Sequence, residues 1–184
     1  MKSKFAPVIT MCVGLSVATF FATSVLADTD PANYVGVKTC GMCHKKDETG
    51  NQLAKWQAGP HAKAFETLGT DKAKEVAKAK GIDDPQKSAA CLKCHSTAYH
   101  FSDSVKTDKI KPEEGVTCES CHGPGKKYMP KSVMEDKQKA IAAGLIYPAT
   151  QQCKLCHNEQ NPTFKGFDEK SALEKIAHPN PAKK

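Results

Sequence analysis

Eight cysteines between positions 40 and 156 fall in four copies of one pattern, Cys-x-x-Cys-His, and none in that span lies outside it. The copies are Cys40, Cys43, His44; Cys91, Cys94, His95; Cys118, Cys121, His122; and Cys153, Cys156, His157. Their starts are 51, 27 and 35 residues apart, so a chemical unit recurs without a fixed structural period. About one helical turn separates the two thiols of each copy. That spacing lets both form thioethers to one porphyrin, while the next residue offers imidazole to its iron.

Two other uses of paired cysteines explain less. Structural zinc is satisfied by four ligands and does not need a histidine after every second cysteine. A disulfide framework would suit an exported chain but leaves the four histidines without a role. Four covalent haem c groups therefore become the expected cofactors, held by the eight cysteines, with His44, His95, His122 and His157 as proximal iron ligands.

Composition points the same way. Beyond the N-terminal segment, large aliphatic residues are sparse while lysine, alanine, glycine and proline abound. Such a polypeptide buries too little apolar surface for its size, so porphyrin is expected to supply the core. The implied architecture is mainly α, with short helices and long loops wrapped around four covalently bound haems.

Residues 1–27 read as a signal peptide. Lys2 and Lys4 form a basic start, an apolar run extends from Phe5 to about Phe21, and Val25-Leu26-Ala27 suits a peptidase, with cleavage before Asp28. A retained membrane anchor is the competing reading, but Pro7, Thr10, Gly14, Ser16 and Thr19 interrupt the run, which is short for a bilayer span. Cys12 would leave with this segment. Residues 28–184 then form one haem-bearing domain, with no second apolar stretch to span a membrane, and an exported, periplasmic location is expected.

Every basic residue is lysine; the chain has no arginine. An exported chain without arginine forks or a basic motif is a poor nucleic-acid binder, so that class is set aside. Haem propionates would offset much of the lysine surplus, leaving local lysine patches to dock redox partner proteins.

Of seven histidines, three stand outside the motifs: His61, His100 and His178. Each is a candidate distal ligand, because neutral imidazole binds haem iron well. Three ligands for four irons leave one haem without a distal histidine. His61 follows Gly59-Pro60, a helix stop and start. His100 lies five residues beyond His95, a reach of at most roughly 17 Å, so a neighbouring haem is its expected partner. His178 precedes Pro179 near the C-terminus. The fourth iron is either five-coordinate or takes Met129, Met134 or a lysine such as Lys126 or Lys127.

Local signals predict helices around Leu53 and Trp56, from Pro60 to Leu68, and from Thr70 to Lys80. Ser132 and Glu135 read as a capping box for a helix closing near Gly144. A last helix, Asp168 to Ala177, would bury Leu173 and Ile176. The stretch from Tyr99 to Gly115 reads as loop with a short β-like turn pair, and Pro179 to Lys184 as a disordered tail.

Two longer strings carry a family likeness. Gly115-Val116-Thr117-Cys118-Glu119-Ser120-Cys121-His122-Gly123-Pro124-Gly125, and Trp56 through His61-Ala62-Lys63-Ala64-Phe65, resemble the tetrahaem cytochrome c-554 family. The likeness implies a mostly helical chain with three haems ligated by two histidines and one high-spin haem with an open face. It also implies electron transfer, as in the member that accepts electrons from hydroxylamine oxidoreductase and passes them to other cytochromes. His61 matches a distal ligand of that family. Where members often place a histidine soon after the His-Gly-Pro-Gly string, this chain has Lys126-Lys127-Tyr128-Met129.

An electron carrier is thus the leading expectation. A reductase or peroxidase acting on nitric oxide, nitrite or peroxide at the open haem is the enzymatic rival, although no acid, base and arginine constellation supports it. The subunit of a haem-stacked filament is the third reading.

Overall fold

The computed structural model describes residues 30–99 and 108–181. The expected signal peptide, His100 and the end of the tail lie outside the described residues.

Ten short α-helical segments and no β-strand occur among the described residues. They are α1 (Val37–His44), α2 (Gln52–Ala58), α3 (Ala64–Thr67), α4 (Asp71–Ala79), α5 (Ala89–His95), α6 (Cys118–His122), α7 (Lys131–Met134), α8 (Lys137–Ala142), α9 (Cys153–Cys156) and α10 (Glu169–Ile176). Several 3-10 turns join them. Each Cys-x-x-Cys-His copy has its own helical segment: it ends α1 and α5, makes up α6, and in α9 the helix covers Cys153–Cys156 with His157 just beyond it. No described helix is long and apolar enough to cross a membrane.

Caps account for many of the boundaries. Thr70 accepts from the Ala73 amide to start α4, and Asp168 accepts from Ser171 to start α10. The expected Ser132–Glu135 capping box is corrected. Pro130 precedes α7, and Asp136 caps α8 by accepting from the amides of Gln138 and Lys139. An aspartate able to take two amides restarts the chain and splits one expected helix into two. The Pro60–Leu68 helix is likewise divided, into a 3-10 turn at His61–Lys63 followed by α3. Leu173 and Ile176 are half-buried, not buried.

Among the described residues only nine hydrophobic side chains are buried, three of them alanines, and the one apolar cluster there joins Tyr34, Ala98 and Ile110. That is far too little for a conventional core at this length. Polar ties hold the motif helices instead. Thr97, fully buried after α5, has its hydroxyl 2.9 Å from the Thr117 hydroxyl and 2.8 Å from that of Ser120. It also accepts from the Thr117 amide at 2.7 Å. These bonds fasten the end of α5 to the start of α6.

Trp56 and His61 clasp the same strand of loop. The Trp56 indole donates to the Val116 carbonyl at 2.8 Å, and the Val116 amide donates to the His61 carbonyl at 3.0 Å. Gly115 adopts φ +71°, and a Cβ there would sit 2.7 Å from the His61 carbonyl oxygen. Only glycine fits that turn without strain.

Candidate functional site

The four helical segments bring the thiols together in pairs. The thiols of Cys40 and Cys118 lie close enough to shift one another's titration where α1 packs beside α6, and those of Cys94 and Cys156 do so where α5 packs beside α9. None of the eight described cysteines forms a disulfide. No three of His, Cys, Asp or Glu converge as a metal-ion cluster among the described residues. Burial pushes the Cys121 thiol up to about 11, whereas the Cys156 contact brings Cys94 down to about 7.

Imidazoles also meet across the fold. His61 and His157 have ring centroids 6.2 Å apart at an interplanar angle of 61°, and His122 and His178 are 6.1 Å apart at 79°. An imidazole nitrogen lies about 2 Å from a bound metal and its ring centre about 1 Å further back, so two imidazoles on opposite sides of one metal have centroids roughly 6 Å apart. Both pairs meet that width. Each joins the histidine of a Cys-x-x-Cys-His copy to one of the isolated histidines, and all six described histidines are half-buried.

The rings are held in a tautomer that suits ligation. Nδ1 of His95 lies 2.8 Å from the Ala64 carbonyl, that of His122 3.3 Å from Ile146, and that of His178 2.8 Å from Ile176. A carbonyl only accepts, so Nδ1 is the donor and Nε2 keeps its lone pair for a metal. His44 Nδ1 lies 3.4 Å from the Gln52 side-chain oxygen. His157 is steadied differently, stacked on Phe167 with centroids 4.6 Å apart and planes 16° apart. Burial lowers the pKa of His61, His122 and His157, which favours the neutral ring.

The structure therefore pairs His61 and His178 with iron-ligand candidates and places His44 and His95 without such a partner among the described residues. Met129 is exposed and Met134 half-buried. Lys126 and Lys127 lie in an exposed 3-10 turn. The supporting carbonyls and Phe167 were not among the candidates, because a carbonyl carries no residue signature and a stacked phenylalanine looks like any apolar position.

One further residue was missed. Glu119, between the third pair of cysteines, is fully buried. Its carboxylate accepts from the amides of Gly125 at 2.7 Å, Gly36 at 2.9 Å and Val35 at 3.0 Å. It thereby ties the chain entering α1 to the helix of the third motif. An acid in a slot of the motif that has no chemical requirement was the available signal.

Thioether-competent thiol pairs, each followed by an imidazole, with imidazoles meeting at metal-bridging distance, fit haem c and define the chain as a c-type cytochrome with a role in electron transfer. Comparison with known proteins agrees. Residues 39–123 match the family described as cytochrome c554 and c-prime. Over 172 residues the chain is 31% identical to cytochrome c-554 of Nitrosomonas europaea, an alignment covering 84% of this chain and 71% of that protein. The chain belongs to the cytochrome c-554 family. No solved structure gives a significant match.

Proposed function

We propose that this chain is an exported, periplasmic electron carrier of 157 residues after removal of residues 1–27, holding four haem c groups and exchanging electrons with other redox proteins. The observation that carries this reading is the pair of imidazole gaps, 6.2 Å and 6.1 Å, each closed by histidines distant in sequence. Haem bound at such a site supplies a reversible one-electron couple.

The chain's own residues do the rest. Cys40 and Cys43, Cys91 and Cys94, Cys118 and Cys121, and Cys153 and Cys156 would hold the porphyrins, on helices of which α1 packs beside α6 and α5 beside α9. His44, His95, His122 and His157 are the proximal ligands. His61 serves the iron of His157, and His178 serves that of His122.

His100 is then left for a neighbour of its own motif. Its five-residue separation from His95 disfavours the opposite face of the same porphyrin, so it is assigned to the iron of His44. The iron of His95 is left with an open face. The sequence offers no constellation of acid, base and arginine of the kind small-molecule reduction uses, which favours the carrier over the reductase. Lysines, of which 25 remain once Lys2 and Lys4 leave with residues 1–27, provide the docking charge for partners.

Low-temperature electron paramagnetic resonance of the oxidised protein tests the ligand assignment. A high-spin signal from one haem in four, with carbon monoxide binding only that haem after reduction, is expected. Four low-spin haems would overturn it.

A further inference from the structure

The carboxylate of Glu119 has no part in attaching or ligating haem, yet it is buried against one pair of motifs. We propose that Glu119 is a fixed internal anion that selectively lowers the reduction potentials of the two haems attached at Cys40–Cys43 and at Cys118–Cys121. The inference rests on the four-haem reading above.

Three observations lead to it. First, the side chain is wholly buried, and although the chain has 27 lysines, none forms an ion pair with it among the described residues. Backbone amides of Val35, Gly36 and Gly125 satisfy it, and the Gly36 amide lies at the start of α1. Burial raises the Glu119 pKa above the ordinary carboxylate value, while the three amide donors and the positive end of a helix oppose that rise without cancelling the carboxylate's charge as a lysine would.

Second, its neighbours offer no alternative proton partner. The Tyr128 hydroxyl donates to the Gly123 carbonyl at 2.7 Å and not to Glu119. The other titratable groups within its field are Glu114, Cys40, Cys118 and Tyr128. Cys40 and Cys118 become thioethers when haem attaches.

Third, the field is local. Glu119 sits in α6 between Cys118 and Cys121, its carboxylate holds the amides of Val35 and Gly36 at the start of α1, and none of its hydrogen-bond partners among the described residues lies in α5 or α9. The same asymmetry applies to an arriving electron. Reduction adds negative charge to a haem, and a nearby buried anion opposes it in a low-dielectric interior. Haems on the α1–α6 side therefore become harder to reduce than the ligand set alone dictates, while the α5–α9 side is little affected. A gradient between the two pairs follows.

A residue that merely fastens α1 to α6 would leave the potentials alone once the protein is folded and loaded. The test is potentiometric titration of wild type, E119Q and E119D, each first checked for haem content by mass. In E119Q two of the four components are expected to move to higher potential and two to stay; in E119D, which keeps the charge, all four should remain near wild type. A fully loaded E119Q with no component moved, or with all four moved equally, overturns the proposal. Wild type carrying fewer than four haems would instead sink the four-haem reading.

Should E119Q not load haem, redox-difference infrared spectroscopy of wild type carrying 13C-labelled glutamate asks the same question. A response from an ionised glutamate as the haems are reduced supports the fixed anion. Only protonated-carboxyl bands, or no glutamate response, contradict it.

Discussion

His122 and His178 stand with ring centroids 6.1 Å apart and planes 79° apart, one on a motif helix and the other just beyond the last helix of the chain. Each Nδ1 is committed to a carbonyl, of Ile146 and Ile176 respectively, so the two ring planes are fixed by different parts of the backbone. H178A should therefore convert one low-spin haem to high spin and leave the others unchanged. Electron paramagnetic resonance of the oxidised variant reads this directly as a second high-spin haem.

Gly115 sets the position of a second distal ligand. With φ +71° and the His61 carbonyl 2.7 Å from where a Cβ would be, G115A must either strain the turn or push His61 away. A loss of about 1–3 kcal/mol is expected from enforcing a left-handed conformation on a residue with a side chain. Thermal unfolding measures that loss, and a weakened low-spin signal would show that His61 has shifted.

Thr97 is the polar hinge between the second and third motifs. T97V keeps the shape but strips the buried amide of Thr117 and the hydroxyls of Thr117 and Ser120 of a shared partner. The expected cost is about 1–3 kcal/mol, the penalty for buried polar groups left without a bond. Denaturant unfolding at constant haem content measures it.

Acid should release the buried histidine ligands late. Burial lowers the pKa of His61, His122 and His157 below the ordinary histidine value, so the unfolded chain binds more protons than the folded one as pH falls. Their contribution to stability is present above the ordinary histidine range near 6.5 and is lost as pH falls below it. Iron competes with protons for the same nitrogen in the same direction. Conversion from low to high spin, followed by absorbance, is expected only in acid well below that range; conversion near neutrality would contradict the burial argument.

What could be read from the amino acids alone depended on how local the cause was. The motif helices, the cap at Thr70 and the end of α2 at Gly59 follow from neighbours within a few residues, and all were legible. Asp136 shows where local reading stops short: a capping box and a simple aspartate cap compete over adjacent turns, and the choice depends on which amides the side chain reaches. The pairing of His61 with His157 was beyond sequence, since it depends on Trp56 and Val116 bringing separate segments together. Glu119 stayed hidden because two of its three amide partners, Val35 and Gly36, lie 84 and 83 residues away in sequence.

The most direct test is the intact mass of the purified mature protein, read beside its visible spectrum. The processed polypeptide carrying four haem groups, red and with c-type absorption, is the outcome required by attachment at all four cysteine pairs. A colourless protein, or a mass corresponding to any other number of haems, would contradict the account.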